Sequence, residues 1–110
     1  MNLKLPKIAE QLIQATNEKD VQKYISCFAD NAVYEDVGEN EKVVGKNAIE
    51  QNFKEMTYEM QSEPTHVEEG PERITVRVKT TGNFKGSPLN FEYQMKLQSG
   101  LIQDLKVDLI

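Results

Sequence analysis

The sequence has little of the chemistry that builds metal centres or disulfides. It contains one cysteine, Cys27, and one histidine, His66, so it can form no internal disulfide and no common zinc site. Its apolar runs are also short, and none has the length of a signal peptide or a transmembrane helix. We therefore expect no metal, no cofactor and no contact with a membrane, and the cytoplasm is the expected location.

Positive charge is also scarce. The chain has 13 basic against 18 acidic residues, which gives a net charge of -5 at pH 7. This balance repels phosphate backbones and anionic lipids, so nucleic acid is not an expected partner. With 110 residues, of which 38% are hydrophobic, the composition is typical of one soluble globular domain that covers residues 1–110.

The first half of the chain has the apolar spacing of three short amphipathic helices. Pro6 suits the first position of a helix, and Asp20 is a good N-cap for the next one. Asn47 and Glu50 have the spacing of a capping box. The predicted helices therefore cover about residues 6–17, 20–28 and 47–59.

The remaining segments alternate between apolar and polar residues, as half-buried strands do. A short strand is predicted at residues 32–36, and everything beyond Pro64 is expected to be extended. Turn residues separate the later strands, which favours an antiparallel meander. Helices followed by such strands indicate an α+β fold in which a curved sheet encloses the helices and leaves a hollow at its open end. That hollow is the expected binding site.

Two stretches carry a resemblance to a known family: "FADNAVYEDVGENEKVVGKNAIEQNF" and "GNFKGSPLNFEYQMKLQSGLIQDLKV". Together they resemble the nuclear transport factor 2-like superfamily, in its SnoaL-like and ketosteroid-isomerase-like branch. The resemblance implies a cone-shaped α+β fold, with three N-terminal helices packed in the concave face of a curved, mostly antiparallel sheet. It also implies a pocket for a small apolar molecule.

By this resemblance Asp36 takes the position of the general base in ketosteroid isomerases. These enzymes are well-known examples of carboxyl groups whose pKa is set by their surroundings. Leu12 stands where those enzymes have an oxyanion-stabilising tyrosine, and Tyr93 where they have a hydrogen-bonding acid. The residues expected to line the pocket are Leu12, Phe28, Tyr34, Phe53, Phe91, Tyr93 and Met95. The Asp-Arg-Asp arrangement of related epoxide hydrolases finds no match at Arg73 or Arg77, and the histidine pair of dehydratases is impossible with His66 alone.

Several alternatives stay open at this stage. Asp36 can serve either as a base or as a loop residue that accepts backbone hydrogen bonds near Gly38. The domain can be a proton-transfer enzyme of the isomerase or cyclase type, a non-catalytic binding protein, or an interaction module with a filled cone. The polar strand face around Arg77 is either solvated or the interface of a homodimer. His66 is expected to face solvent, and Cys27 to be a small buried hydrophobe.

Overall fold

The computed structural model describes residues 3–56 and 59–110, which form an α+β domain. Its helices are α1 (Lys7–Glu18), α2 (Val21–Ile25) and α3 (Lys46–Lys54). Its strands are β1 (Phe28–Asp36), β2 (Glu41–Val44), β3 (Met60–Gly70), β4 (Arg73–Gly82), β5 (Leu89–Gln98) and β6 (Leu101–Leu109). No helix in the described ranges is long and apolar enough to cross a membrane.

The first two helices begin close to the predicted positions. Pro6 is the N-cap of α1 and not its first helical residue, and α1 buries the apolar stripe that includes Leu12 and Ile13. Asp20 caps α2 as predicted, because its Oδ1 accepts the backbone N–H of Lys23 at 3.1 Å. The apolar spacing of these helices therefore identifies the faces that they bury.

The prediction that α2 continues to Phe28 is wrong. The helix ends at Ile25, and Phe28 is the first residue of β1. The backbone of Cys27 accepts a hydrogen bond from Ile102 at 2.8 Å, and Phe28 lies opposite Ile102 in parallel register. Pairing with β6 therefore places Phe28 in a strand, although its position in the sequence continues the apolar spacing of α2.

Both predicted ends of the third helix also need correction. It starts after Gly45, which has a positive φ of 96° that glycine adopts without strain, and no side chain caps it. Glu50 is not part of a capping box but pairs with Lys54 at 2.9 Å, one turn later. The helix ends at Lys54, short of the predicted end near residue 59. The chain must leave the helix there because β3 begins at Met60. Residues 57 and 58 lie outside the described residues.

The six strands form one sheet in the order β2-β1-β6-β5-β4-β3. Strands β3 to β6 make the predicted antiparallel meander, β2 pairs antiparallel with β1, and only the pairing of β1 with β6 is parallel. The strand β3 begins before Pro64, earlier than predicted. Pro64 is tolerated there because β3 is an edge strand and a bulge follows it.

The helices cover one face of this curved sheet, and the core lies between them. On β4, Ile74, Val76 and Val78 are buried, while the residues between them are exposed or half-buried. Alternation of this kind gives each strand an inner, dry face and an outer, polar face. The predicted fold class, helices in the concave face of a mostly antiparallel sheet, is confirmed.

Candidate functional site

The strand register places the predicted site residues on the inner face. Asp36 of β1 lies opposite Val107 of β6, which in turn lies opposite Tyr93 of β5. Residues that lie directly opposite each other project from the same face of a sheet. Asp36 and Tyr93 are thus two strands apart, or about 10 Å between their backbones. The next row on the same face joins Tyr34 and Met95, which both lie opposite Leu105.

The apolar residues predicted to line the pocket all belong to one core. Leu12, Phe28, Phe53 and Met95 are buried, and Phe91 is a partly buried residue packed against them. Leu12 is 1% exposed, so α1 presents a buried aliphatic side chain to this core. These residues are brought together as expected, and their role as the lining of a pocket stays a prediction.

Asp36 accepts a backbone hydrogen bond from the loop that follows β1, and its carboxyl is partly shielded from water. It is half-buried at the end of β1, and its Oδ1 accepts the backbone N–H of Glu39 at 3.2 Å. Burial raises the pKa of its carboxyl above the ordinary value, because desolvation disfavours the charged form. The loop N–H groups oppose this rise, while the carboxylates of Glu39 and Glu41 add to it. The loop therefore holds the carboxyl in place, and the role of Asp36 as a base stays a prediction.

The two predicted tyrosines, Tyr34 and Tyr93, share the inner face of the sheet with Asp36. Burial raises the pKa of Tyr34, and the charge of Asp36 raises it further. Burial also raises the pKa of Tyr93, with Ser62 acting in the opposite direction and Asp36 in the same one. Both phenols consequently stay protonated at neutral pH and can donate hydrogen bonds.

Tyr24 is a member of this cluster that the sequence analysis did not identify. Its ring stacks on Phe53 with centroids 3.9 Å apart, and it tilts against Phe28 at 5.2 Å. Burial raises the pKa of Tyr24 well above the ordinary value, and the nearby Tyr34 and Tyr93 raise it further. In the sequence Tyr24 occupies an ordinary apolar position of α2, so only its hydroxyl distinguished it from a core residue.

A buried pair of hydroxyl groups was missed as well. The hydroxyls of Ser62 and Thr80 lie 2.8 Å apart, and these residues are 6% and 2% exposed. Ser62 precedes the segment that was predicted to be extended, which hid its inward position. The sequence did offer one indication of this pair. Thr80 is a polar residue that continues the alternation of Ile74, Val76 and Val78 on the dry face of β4.

Two cavities border the C-terminal end of α1. One has a volume of about 130 Å³ and is lined by Thr16, Lys19, Val21, Phe53, Lys54, Met56 and Met60. A more open groove of about 610 Å³ adjoins it at Lys19 and Met60. Neither is lined by Asp36, Tyr34 or Tyr93, and Phe53 is the residue shared with the predicted lining.

The outer face carries the two arginines and the histidine that the sequence analysis considered. Arg77 pairs with Glu92 at 3.1 Å on this face, and Arg73 is exposed beside it in the alternation of β4. Both arginines therefore point away from Asp36, which rules out an Asp-Arg-Asp arrangement around it. His66 is half-exposed and pairs with Glu68 at 3.1 Å, as expected for a residue facing solvent.

Cys27 is fully buried, as predicted, and burial raises the pKa of its thiol to about 11. It therefore has little thiolate at neutral pH and is a poor nucleophile or metal ligand. Residues 3–56 and 59–110 contain no group of three His, Cys, Asp or Glu side chains that could hold a metal ion.

Comparisons with solved structures agree with the fold described above. A proposed polyketide cyclase from Sinorhizobium meliloti is 28% identical in sequence and superimposes with a TM-score of 0.86, over 94% of each chain. A proposed ketosteroid isomerase from Kribbella flavida is 14% identical, with a TM-score of 0.83 over 94% of this chain and 75% of that one. An LEH-like epoxide hydrolase from M. tuberculosis is 13% identical, with a TM-score of 0.79 over 94% and 80%.

The last two similarities concern the fold alone, and no functionally curated protein matches the chain. The model of the SnoaL-like domain, in contrast, matches residues 9–98, which include most of α1 and all of β5. The chain therefore belongs to the SnoaL-like domain family, within the nuclear transport factor 2-like superfamily.

Proposed function

We propose that this domain binds a small, mainly apolar carbonyl compound on the inner face of its sheet and transfers a proton with Asp36. The observation that carries the proposal is the row that joins Asp36 and Tyr93 across β6. A half-buried carboxylate with a raised pKa and a neutral phenol are a base and a hydrogen-bond donor. The net charge of -5 supports a neutral organic ligand over nucleic acid.

The two groups have complementary roles in this proposal. The Asp36 carboxylate removes a proton from the carbon next to the carbonyl, and the electrons of that C–H bond move to the carbonyl oxygen. Tyr93 donates its O–H to the resulting enolate oxygen. Asp36 then returns the proton to another carbon of a conjugated enolate, as in an isomerase. Alternatively, the enolate carbon attacks a second carbonyl of the same molecule, as in a cyclase, and the alkoxide that forms takes the proton from Asp36. Leu12 offers no second donor from α1.

Hydrogen exchange in D₂O tests this chemistry without knowledge of the natural substrate. NMR would follow deuterium entering the carbon between the carbonyls of small 1,3-dicarbonyl compounds. We expect Asp36→Asn to lower the catalysed rate by about 10² to 10⁴, and Tyr93→Phe by about 10² to 10³. Glu35→Gln is the matched control, because Glu35 is the exposed neighbour on the opposite face. Equal rates for wild type and Asp36→Asn would refute the catalytic role.

One observation favours a second candidate, a non-catalytic binding protein. Asp36 already accepts the Glu39 N–H, which is the usual structural role of an aspartate at the end of a strand. In that case the same dicarbonyl compounds should raise the melting temperature increasingly with concentration, as mass action requires, without speeding up deuterium exchange. Exchange that depends on Asp36 would exclude this candidate.

We also propose that the outer sheet face contacts a second copy of the chain. Its support is the mixed charge of the face, where Arg77 pairs with Glu92 across two strands. Such a surface fits a modest, hydrated interface. Light scattering of wild type and Arg77→Glu tests it: we expect a dimer that dissociates in the variant. A monomeric mass for wild type would refute the proposal.

A further inference from the structure

We infer that Glu41 is a positioning residue for Asp36: it holds a second carboxylate beside the base across the β1–β2 hairpin, and Asn52 of α3 keeps it there. The inference rests on the proposed function, since it gives the base of that reaction a supporting neighbour. Glu41 acts through Asp36 and need not touch the substrate.

The register of the hairpin places Glu41 next to Asp36. Asp36 is the last residue of β1, Glu41 is the first residue of β2, and the two lie directly opposite each other. Residues paired in this way project from the same face of a sheet, with their Cβ atoms about 4.5–5.5 Å apart. The register therefore makes the two carboxyl groups neighbours.

Two contacts place this pair on the inner face of the sheet. Val43, two residues after Glu41, packs against the hydrophobic core, and alternate residues of a strand share a face. Glu41 also reaches α3, because its Oε1 accepts a hydrogen bond from Nδ2 of Asn52 at 3.0 Å. The helices cover the inner face, so this hydrogen bond agrees with an inward position of Glu41.

Asn52 limits how far the Glu41 carboxylate can move away from Asp36. Glu41 is exposed, and an exposed glutamate side chain is free to exchange between rotamers. The hydrogen bond from Asn52 favours the rotamers that lie towards α3. A side chain of a helix thereby holds a charge of β2 in place.

A second negative charge so close to Asp36 opposes its ionisation. Burial is the largest cause of the raised pKa of Asp36, and the carboxylates of Glu39 and Glu41 raise it further. Glu39 also donates its backbone N–H to Asp36 Oδ1 at 3.2 Å, which lowers the pKa and offsets the effect of its own charge. Glu41 acts in one direction, through its charge.

The other titratable groups on the inner face near Asp36 are phenols. Tyr34 precedes it by two residues on β1, and Tyr93 lies in the same row on β5. Burial raises the pKa of both phenols, and the charge of Asp36 raises it further. Both are therefore neutral at pH 7 and add no charge to the pair.

The charged groups of the neighbouring elements are turned away or already paired. Lys106 and Asp108 of β6 alternate with its buried residues and project from the outer face. Glu50 and Lys54 of α3 pair with each other at 2.9 Å. The two glutamates of the hairpin therefore supply the charge that acts on Asp36, and a higher pKa makes its carboxylate a stronger base.

Carbon-13 NMR of the Asp36 side-chain carboxyl measures this pair directly. Glu41→Gln removes the charge and keeps the oxygen that accepts the Asn52 hydrogen bond. We expect it to lower the Asp36 pKa by about 0.3–0.5, the interaction of two hydrated charges roughly 6 Å apart. Salt at about 1 M should reduce this difference. Glu35→Gln is the matched control and should leave the pKa unchanged, because Glu35 adjoins Asp36 but projects from the opposite face.

Asn52→Ala tests whether α3 holds the charge in place. It leaves Glu41 charged but releases its carboxylate, so we expect the Asp36 pKa to fall by part of the Glu41→Gln shift. Combined with Glu41→Gln, it should lower the pKa no further. Gln51→Ala is the matched control, because Gln51 is exposed on α3 and donates to Glu55 instead.

An Asp36 pKa that Glu41→Gln leaves unchanged or raises would overturn the inference. Equal pKa values in wild type and Asn52→Ala would overturn the part assigned to α3. The pH midpoint of deuterium exchange should fall by the same amount as the pKa measured by NMR. The result is separate from the proposed function: an Asp36 pKa that follows Glu41, with exchange that ignores Asp36, would refute the proton transfer and leave the carboxylate pair standing.

Discussion

Asp36 and Glu92 are carboxylates on opposite faces of one sheet, and their surroundings move their pKa values in opposite directions. Asp36 lies on the inner face, where burial raises its pKa. Glu92 lies on the outer face, where hydrogen bonds from Gln94 and Arg77 lower its pKa. The comparison teaches that the face of the sheet, more than the residue type, decides whether the pKa of a carboxylate here is raised or lowered.

The same contrast holds for packing, and it gives the largest expected effect. Ile74 is 4% exposed on the inner face, and its neighbour Thr75 points outward from the same strand. We expect Ile74→Ala to lower the free energy of unfolding by about 2–5 kcal/mol and Thr75→Ala by no more than about 1 kcal/mol. Urea unfolding of the two variants measures this, and equal losses would show that the faces do not differ in this way.

Cys27 extends the comparison to a thiol in the interior. Its pKa of about 11 leaves about a hundredth of the thiolate that an ordinary thiol has at pH 8. We therefore expect its reaction with a coloured disulfide reagent to be at least about 100-fold slower in the native protein than in urea. Comparable rates in the two states would mean that this interior site opens readily to solvent.

The smallest expected effect is the pH dependence of the two carboxylates. The folded pKa of Asp36 is raised, so its ionisation lowers stability as the pH rises from 3.8 through the folded value, and this loss persists at higher pH. The folded pKa of Glu92 is lowered, so it stabilises the protein above pH 4.5, and this contribution disappears as the pH falls through the folded value.

At pH 7 we accordingly expect Asp36→Asn to be more stable than wild type. We expect Glu92→Gln to be less stable by under about 1 kcal/mol, the usual size for an exposed ion pair. Urea unfolding at a series of pH values should show the Asp36 difference shrinking as the pH falls from the raised folded pKa towards 3.8. The Glu92 difference should persist down to pH 4.5 and shrink only below it. If both variants shift the free energy of unfolding in the same direction at pH 7, the two faces do not differ in how they affect a carboxylate charge. Asparagine retains the oxygen that accepts the Glu39 N–H, so the comparison isolates the charge.

The sequence by itself determined the fold class and the two faces of β4 and β5. Alternation along 74–78 and helical spacing in α1 are properties of a few consecutive residues, so they survive without knowledge of the rest of the chain. The Asp20 cap and the inward position of Asp36 could be predicted for the same reason. The family resemblance then pointed to Asp36 and Tyr93 as candidates.

Only the tertiary structure decided where the elements end and which polar groups meet. Phe28 has a helical position in the local pattern, but its pairing with Ile102 in β6 assigns it to a strand. Ser62 and Thr80 are 18 residues apart, and the contact depends on the register of two strands. Local sequence encodes periodicity, whereas register and sheet curvature arise from the packing of the whole chain, and these bring Asp36, Tyr93 and the hydroxyl pair to one side of the sheet.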